Sequence, residues 1–367
     1  MISKKDIAKV LAGYDKSKIR IGTICSHSAL QIFHGARQEG FRTVGICTKD
    51  RVEMYNAFPQ GKPDEFIIVD KFSDMLSEKF QELMRSKNVI LIPHGSLVEY
   101  VGPQNIAESF NVPMFGNRTT LQWEGERKMQ RRWLTQAGLK MPKEYKSPSD
   151  VDAKVFVKFS GARGGKGFFT ASSEADIKRK LGQRIKSGLL KKNDETQMAI
   201  QEFIPGVRYY FQYFYSPLEE SVGQMQMGRV ELLGIDKRIE TIDEAYRGLP
   251  EIPDEFFDYT VTGNQPVVIR ESLLPQVMKM GVDVVKKSGE LFRPGMQGAF
   301  CLETVYHPSR GFTAFEISAR IVAGSNLYPE GSPYSALVFK EPMSTGRRIA
   351  REIKTAIREG RLDDIVY

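Results

Sequence analysis

Apolar and polar positions alternate with two periods along residues 1–118, and this pattern predicts a doubly wound α/β domain. Continuous apolar runs, typical of strands buried on both faces, occur at 18–25, 42–48, 65–70, 88–93 and 113–116. Helical spacing of apolar residues between these runs predicts helices over 28–40, 73–86 and 104–110. Strands that alternate with helices favour a parallel sheet covered on both faces.

The pattern changes after residue 118. A helix is predicted over 119–138, with Gly138 as its C-cap and Pro142 beyond its end. Antiparallel strand patterns follow, separated by turns near 216–217, 262–264 and 309–311. We therefore expect an N-terminal domain over 1–120 and an α+β domain over 121–367, the latter divided into a lid subdomain (121–200) and a C-terminal subdomain (201–367).

The composition and the cysteine content indicate the cellular compartment of the protein. The chain has 367 residues and 41% hydrophobic content, with no run near the roughly 18 apolar residues that a membrane span needs. Its first residues are polar and lack the apolar region of a signal peptide. The three cysteines, Cys25, Cys47 and Cys301, form neither a zinc-binding pair nor a disulfide framework. We expect a cytoplasmic protein without a membrane partner.

The net charge of +8 does not by itself indicate a nucleic-acid partner. Lysines and arginines are dispersed among acidic residues and form no long basic run. A solvated basic surface explains most of this excess, and anionic substrates such as nucleotides also fit it.

Two polar turns follow predicted strands of the N-terminal sheet, at 26–28 and 94–96. Ligands of such sheets bind outside the carboxyl ends of the strands, and a helix N-terminus there attracts anions. The serines could equally serve only as helix caps. Two such turns on one sheet edge favour a phosphate-bearing substrate.

A glycine-rich segment joins two predicted strands between residues 154 and 169. Glycines allow backbone N–H groups to approach phosphate oxygens closely, and Lys158, Arg163 and Lys166 add positive charge. The segment is not a Walker loop, because Gly167 stands where Ser or Thr is needed, and no Rossmann motif occurs. A simple hairpin turn is the alternative.

Two carboxylates are predicted to face each other on a hairpin. Folding the runs 298–305 and 312–320 about the turn between them pairs Glu303 with Glu316 and Leu302 with Ile317. Strand alternation then assigns one face to Glu303, Glu316, Ser318 and Arg320, and the other to Phe300, Leu302, Phe315 and Ile317. Opposed carboxylates repel, so Mg²⁺ between them fits better than an exposed polar face. Arg320 is expected to balance the remaining charge.

A third segment, 198–206, predicts a strand that ends at a Pro-Gly turn. Backbone groups at Phe203 and Ile204 could receive an adenine ring, although a plain strand end gives the same pattern.

These elements, in this order, resemble the ATP-grasp ligases. Seven runs are similar to those of one group in that superfamily, the archaeal formate-dependent synthetases of purine biosynthesis: 26–28, 93–96, 112–117, 157–165, 231–238, 267–276 and 347–354. The resemblance covers nearly the whole chain.

The resemblance implies an ATP-dependent carbon–nitrogen ligase. Its reaction converts ATP, formate and 5-aminoimidazole-4-carboxamide ribonucleotide into the 5-formamido ribonucleotide, ADP and phosphate, through formyl phosphate. ATP and Mg²⁺ (with Mn²⁺ as an alternative) are the implied cofactors. The implied partners are these small molecules and further copies of the chain, with a hexamer as one form, but no nucleic acid.

The resemblance also implies residue roles. The ATP phosphates fall to Lys158 and Arg127, and to a loop formed by Ser160, Gly161, Ala162, Arg163, Gly164 and Gly165. Adenine falls to Phe203 and Ile204 with Glu202 beside them, and the ribose to Glu231, because Arg208 occupies the position where many members have glutamate. Glu303 and Glu316 are the implied metal ligands, and Ser318 stands where the superfamily usually has asparagine. Lys158 and Arg320 are the expected catalytic residues, and His27, Ser96 and Asn264 the expected contacts of the ribonucleotide.

Two alternatives remain open from the sequence. A paralogue on the same scaffold could use another carboxylate or amine, and a regulatory protein could bind nucleotide without turnover. Retention of Lys158, Glu303 and Glu316 argues against the second. No general base is evident, and the role of residues 321–330 is not assigned.

Overall fold

A sheet of four parallel strands begins the fold in this computed structural model, which describes residues 2–159, 167–219, 230–240 and 260–367. Its strands are β1 (Arg20–Ile24), β2 (Arg42–Cys47), β3 (Glu65–Ile68) and β4 (Val89–Leu91), in the order β3-β2-β1-β4. The accompanying helices are α1 (Lys4–Ala12), α2 (Ala29–Gln38), α3 (Val52–Asn56), α4 (Glu78–Ser86), α5 (Gly95–Tyr100) and α6 (Pro103–Ser109). This arrangement confirms the predicted doubly wound domain.

Two antiparallel sheets follow. The lid sheet contains β5 (Glu144–Tyr145), β6 (Val155–Lys158), β7 (Phe169–Ala171) and β8 (Ala199–Glu202), in the order β5-β8-β6-β7, with helix α9 (Glu174–Lys186). The large sheet contains β9 (Val207–Tyr215), β10 (Val230–Glu240), β11 (Val261–Pro266), β12 (Gly298–His307) and β13 (Gly311–Ser318), in the order β11-β10-β9-β12-β13. Strand β8 crosses the boundary predicted at residue 200, so its last residues belong with the lid sheet.

Besides α9, the described residues of the second half form the helices α7 (Arg118–Gly125), α8 (Arg127–Gln136), α10 (Leu274–Leu291), α11 (Ser335–Val338), α12 (Thr345–Glu359) and α13 (Leu362–Ile365). The single helix predicted over 119–138 is wrong, because Glu126 has an extended backbone (φ −98°, ψ 111°) that separates α7 from α8. The strand predicted at 113–116 is also absent: Met114, Phe115 and Gly116 make only single bridges, to Leu91 and Val366.

Helix α12 holds the large sheet and the N-terminal domain together. A Cβ atom on Gly35 of α2 would lie 2.2 Å from the backbone nitrogen of Arg347, and one on Gly346 would lie 2.5 Å from the carbonyl oxygen of Gln31. The two glycines therefore allow α2 and α12 to pack backbone against backbone. Within the described ranges, no helix is both long enough and apolar enough to cross a membrane.

Candidate active site

A cavity of about 470 Å³ lies where the three sheets meet. Its size is that of a small-molecule site. It brings together eleven of the predicted site residues: His27, Ser96, Arg127, Lys158, Glu202, Phe203, Ile204, Asn264, Glu303, Glu316 and Arg320. The predicted loop residues Ser160 to Gly165 lie outside the described part of the chain.

The hairpin of β12 and β13 forms one wall, and its register confirms the pairing of Glu303 with Glu316 and of Leu302 with Ile317. The predicted position of Phe315 on the apolar face is wrong. Thr304 pairs with Ala314, so Phe315 is the extra residue of a β-bulge and lines the cavity beside Glu316.

Glu303 is buried, and its carboxylate is already neutralised from one side. Arg238 donates two hydrogen bonds to it, at 2.9 and 3.2 Å, and the Ser318 hydroxyl donates a third at 3.1 Å. Sequence reasoning missed Arg238. The signal was the alternation of Asp236, Arg238 and Glu240 along β10, which directs charged residues to one face of the strand.

Arg320 does not balance the carboxylate pair as expected. Its Nη2 lies 3.2 Å from Glu124 Oε1, and the Ala319 N–H donates to Glu124 Oε2 at 2.9 Å. Arg320 lines the cavity from this position, while Arg238 supplies the charge that the sequence assigned to Arg320.

The second carboxylate of the pair, Glu316, lies in a buried position close to the negatively charged Glu303. Burial and the Glu303 carboxylate raise its pKa, whereas the positive charge of Lys158 opposes this rise. Mg²⁺ uses one or two protein carboxylates together with substrate phosphate oxygens, so Glu303 and Glu316 fit this ion. In the described ranges, no group of three or more His, Cys, Asp and Glu side chains is placed to hold a metal ion, so this pair fits an ion that phosphate oxygens and water also coordinate.

Two basic residues stand at the end of β6. Lys158 is 6% exposed, and its Nζ lies 4.6 Å from the ring centre of Phe315. Burial lowers the pKa of Lys158, and the Glu316 carboxylate opposes that shift. Arg127, the first residue of α8, donates to the Phe159 carbonyl at 2.5 Å. Both positively charged side chains therefore lie at the start of the glycine-rich segment.

One hydrogen bond within the protein reduces the number of backbone groups at Phe203 and Ile204 that can bind adenine. The Phe203 N–H already donates to the Lys154 carbonyl at 3.0 Å. Of the four backbone polar groups at these two residues, the Phe203 carbonyl and the N–H and carbonyl of Ile204 then remain for an adenine edge. The Glu202 carboxylate turns toward Arg310, at 2.6 and 3.2 Å.

Glu231 does not line the cavity. Arg348 of α12 holds its carboxylate with hydrogen bonds of 2.8 and 2.9 Å, at the opposite end of β10 from the cavity-lining Glu240. The ribose role expected for Glu231 is therefore wrong, because the residue is part of a buried ion network.

The edge of the N-terminal sheet forms the remaining wall. The Ser96 hydroxyl bonds Ser26 at 2.9 Å, and the His27 ring stacks on His94 with centres 5.3 Å apart. Across the cavity, the Asn264 Oδ1 is buried and has no hydrogen-bond partner in the described ranges. That oxygen fits a donor supplied by a ligand.

Comparisons with known proteins agree with this architecture. A solved structure of an IMP biosynthesis protein PurP from Thermococcus kodakaraensis covers 95% of this chain and 100% of its own, with 31% identity and a TM-score of 0.72. An ADP complex of purK, N5-carboxyaminoimidazole ribonucleotide synthetase, covers 92% of this chain and 77% of its own, with a TM-score of 0.62 at 14% identity. The protein has the ATP-grasp fold and is an ATP-grasp enzyme.

Relatives define the family more closely. Proteins from Korarchaeum cryptofilum and Methanosarcina acetivorans, both named 5-formaminoimidazole-4-carboxamide-1-(beta)-D-ribofuranosyl 5'-monophosphate synthetase, are 54% and 49% identical, each over 100% of both chains. Family models described as "Protein of unknown function (DUF1246)" and "Domain of unknown function (DUF1297)" match residues 21–145 and 176–367. The chain belongs to the family of these synthetases.

Proposed function

We propose that this enzyme formylates 5-aminoimidazole-4-carboxamide ribonucleotide with ATP and formate, giving the 5-formamido ribonucleotide, ADP and phosphate in purine biosynthesis. The relatives that carry the name of this activity match the chain from end to end. The single observation that carries the proposal is the shared cavity, in which Lys158, the Glu303–Glu316 pair and the sheet-edge residue His27 face one space.

The first half-reaction activates formate. A formate oxygen attacks the γ-phosphorus of ATP, ADP leaves, and formyl phosphate forms. Lys158 and Arg127 stabilise the negative charge of the transferring group, which is the main task of a protein in phosphoryl transfer. Glu303 and Glu316 would hold Mg²⁺, or Mn²⁺ in its place; such an ion neutralises charge on the phosphates.

The residues that line the cavity support the following arrangement of ATP. Adenine lies against the Phe203 carbonyl and the Ile204 N–H, and the phosphates extend toward Lys158. Closure of Ser160 to Gly165 over the phosphates stays a prediction from the family resemblance.

The second half-reaction transfers the formyl group. His27, Ser96 and Asn264 hold the ribonucleotide so that its 5-amino group meets the formyl carbon. Holding the two reactants together and excluding water supplies much of the rate enhancement in such steps.

Phosphate release from Mg-ATP by the purified protein tests the function, with formate and the ribonucleotide omitted in turn. We expect release to need both substrates and the formamido product to appear by mass spectrometry. Turnover only with another carboxylate or amine would reassign the substrates to a paralogue. ATP binding without turnover under any pairing would indicate a regulatory protein.

Two further expectations carry over from the resemblance. A homo-oligomer, with a hexamer as one form, is checked by light scattering of the purified protein. A cytoplasmic location is checked by fractionation of cells that produce it.

A further inference from the structure

The turn after β1 places His27 in an unusual backbone conformation. Its φ of 54° lies in the left-handed region, which residues other than glycine adopt rarely. Asn326 Nδ2 donates to the His27 carbonyl oxygen at 3.0 Å. Because strained backbone persists only where its surroundings hold it, this contact gives the segment 322–326 a role in orienting His27.

The hydrogen bonds of Ser28 determine which ring nitrogen of His27 carries its proton. Ser28 Oγ lies 2.7 Å from His27 Nδ1 and 3.1 Å from the Val322 carbonyl oxygen. A carbonyl only accepts, so the Ser28 hydroxyl donates to Val322 and accepts from Nδ1–H. The opposite arrangement loses one hydrogen bond and sets two acceptor oxygens against each other. Nδ1 is therefore protonated, and Nε2 carries a lone pair.

The neighbouring His94 is fixed in the opposite tautomer. Its Nε2 lies 2.9 Å from the Ile24 carbonyl, and its Nδ1 accepts from the Ser96 N–H at 3.1 Å. Burial lowers the pKa of His94 to about 4. Desolvation by the surrounding protein holds the pKa of His27 well below its usual value, and His94, Arg320 and Arg238 add to this shift. Solvent still reaches the ring through the cavity. Both rings are neutral near pH 7.

The His27 lone pair is accessible from the cavity. A Cβ atom on Gly95 would lie 3.0 Å from Nε2, so the glycine leaves room beside this nitrogen. In the described ranges, Nε2 has no hydrogen-bond partner, and His27 lines the cavity together with Ser96. An acceptor nitrogen thus faces the space assigned to the ribonucleotide.

We propose that His27 Nε2 is the base that removes the proton from the 5-amino group during formyl transfer, with Ser28, Val322 and Asn326 as positioning residues. This inference rests on the proposed function. The amine nitrogen forms a bond to the formyl carbon, the bond from that carbon to the phosphate oxygen breaks, and the electron pair leaves on phosphate. The amine proton passes to Nε2.

The basicity of His27 suits this step. An aromatic amine is a neutral, weak nucleophile, but its nitrogen becomes strongly acidic once it bonds to the formyl carbon, so a base with a low pKa is sufficient. The groups facing His27 are neutral His94 on its ring face and the cations Arg320 and Arg238, while Glu99 and Tyr100 of α5 line the same cavity. The transfer rate should therefore fall as the pH drops through the depressed His27 pKa.

The rate of formyl transfer in a single turnover of His27→Ala tests the proposal. The matched control is His34→Ala on α2. We expect a loss of about 10²- to 10⁴-fold, the usual contribution of a positioned base. Added imidazole should restore part of the rate. Formate-dependent isotope exchange within ATP, which reports activation alone, should stay near the wild-type rate.

Ser28→Ala keeps the imidazole and tests its orientation. We expect roughly a fivefold loss of transfer, equivalent to one neutral hydrogen bond, and an altered acid limb of the pH profile. Nitrogen-15 NMR of the wild-type chain should show His27 protonated at Nδ1, a readout that survives if His27→Ala fails to fold.

The outcomes separate the two proposals. The role of His27 alone would be overturned by any of three results. These are a transfer rate of His27→Ala within threefold of wild type, a pH profile of Ser28→Ala with an unchanged acid limb, or a wild-type His27 protonated at Nε2. A wild-type chain that makes no formamido product from formate and the ribonucleotide would overturn the proposed function instead.

Discussion

Charge pairing around Glu303 and Glu316 defines the chemistry at the scale of single residues. Arg238 satisfies Glu303, and its guanidinium also lies 4.0 Å from the Tyr210 ring centre. Among the residues that the structure describes, Glu316 has no arginine partner of this kind, and the positive charge of Lys158 acts on it instead. The pair therefore keeps one carboxylate fixed and leaves the other to respond to a bound cation.

Glu316→Gln tests this division. The substitution preserves size but removes the charge, so we expect turnover to fall by roughly 10²-fold or more and the Mg²⁺ requirement to rise. Product formation across a Mg²⁺ titration measures both effects. Glu330→Gln, an exposed carboxylate paired with His34, is the control and should behave as wild type. Near-normal kinetics in Glu316→Gln would remove this residue from the metal site.

The sequence predicted the carboxylate pair because a short turn fixes the register of the hairpin. Arg238 lies 65 positions from Glu303, and Glu124 lies 195 positions from Ala319. Such distant partners depend on how sheets pack, which local periodicity does not encode. This explains why the balancing charge was assigned to Arg320, which regular alternation places on the same strand face as the two carboxylates.

At the scale of elements, a single irregular residue in a strand or between two helices changes the direction in which side chains point. Regular strand alternation and helical spacing then predict the wrong face for these side chains. The bulge at Phe315 turns its ring toward Lys158, and the extended residue Glu126 starts α8 at Arg127. No glycine or proline lies at the bulge, whereas Gly125, the last residue of α7, stands directly before Glu126 and was a signal of the helix break. Regular alternation and helical spacing therefore predicted most elements of the N-terminal sheet and the hairpin of β12 and β13, but misplaced Phe315 and joined α7 and α8 into one helix.

Helix α12 is anchored by a buried ion network, which Arg348→Met should disrupt. Arg348 is 1% exposed and bonds Glu231 and Glu352, so its removal leaves buried carboxylates without a counter-charge. We expect a loss of about 3–5 kcal/mol in the free energy of unfolding, measured by chemical denaturation.

Arg358→Met on the same helix is the matched control for Arg348→Met. Its side chain is largely exposed, and surface changes of this kind usually alter stability by less than about 0.5 kcal/mol. Equal effects of the two substitutions would show that the network does not anchor the helix.

At the scale of the whole molecule, three sheets contribute to one cavity, and the N-terminal edge brings His27, which stacks on the buried His94, to it. The order of strands and helices was predictable, because each element has its own apolar period. Their convergence was not, because the contact of His94 with Ile321 joins segments that share no local pattern.

The buried histidines predict a pH dependence of stability. His94 has a folded pKa of about 4 against an ordinary value of 6.5. The unfolded chain therefore binds its proton first, so stability is complete above about pH 6.5 and falls toward pH 4, by roughly 3 kcal/mol. His27 shifts in the same direction.

Unfolding free energies of wild type and His94→Asn, compared from pH 7 to pH 4, measure this effect. The stability difference between the two proteins should shrink as the pH falls. Parallel curves for His94→Asn would contradict the assignment of a depressed pKa.

The hydroxyl contact between Ser28 and Val322 spans 294 positions of the chain. During synthesis, the ribosome releases the His27 turn early and its partner segment near the end. The imidazole thus gains its fixed orientation only when the large sheet has folded onto the first one. An unfinished polypeptide that already contains strand β1 and its histidine would lack this orientation, so competence for the second half-reaction should arise late in translation.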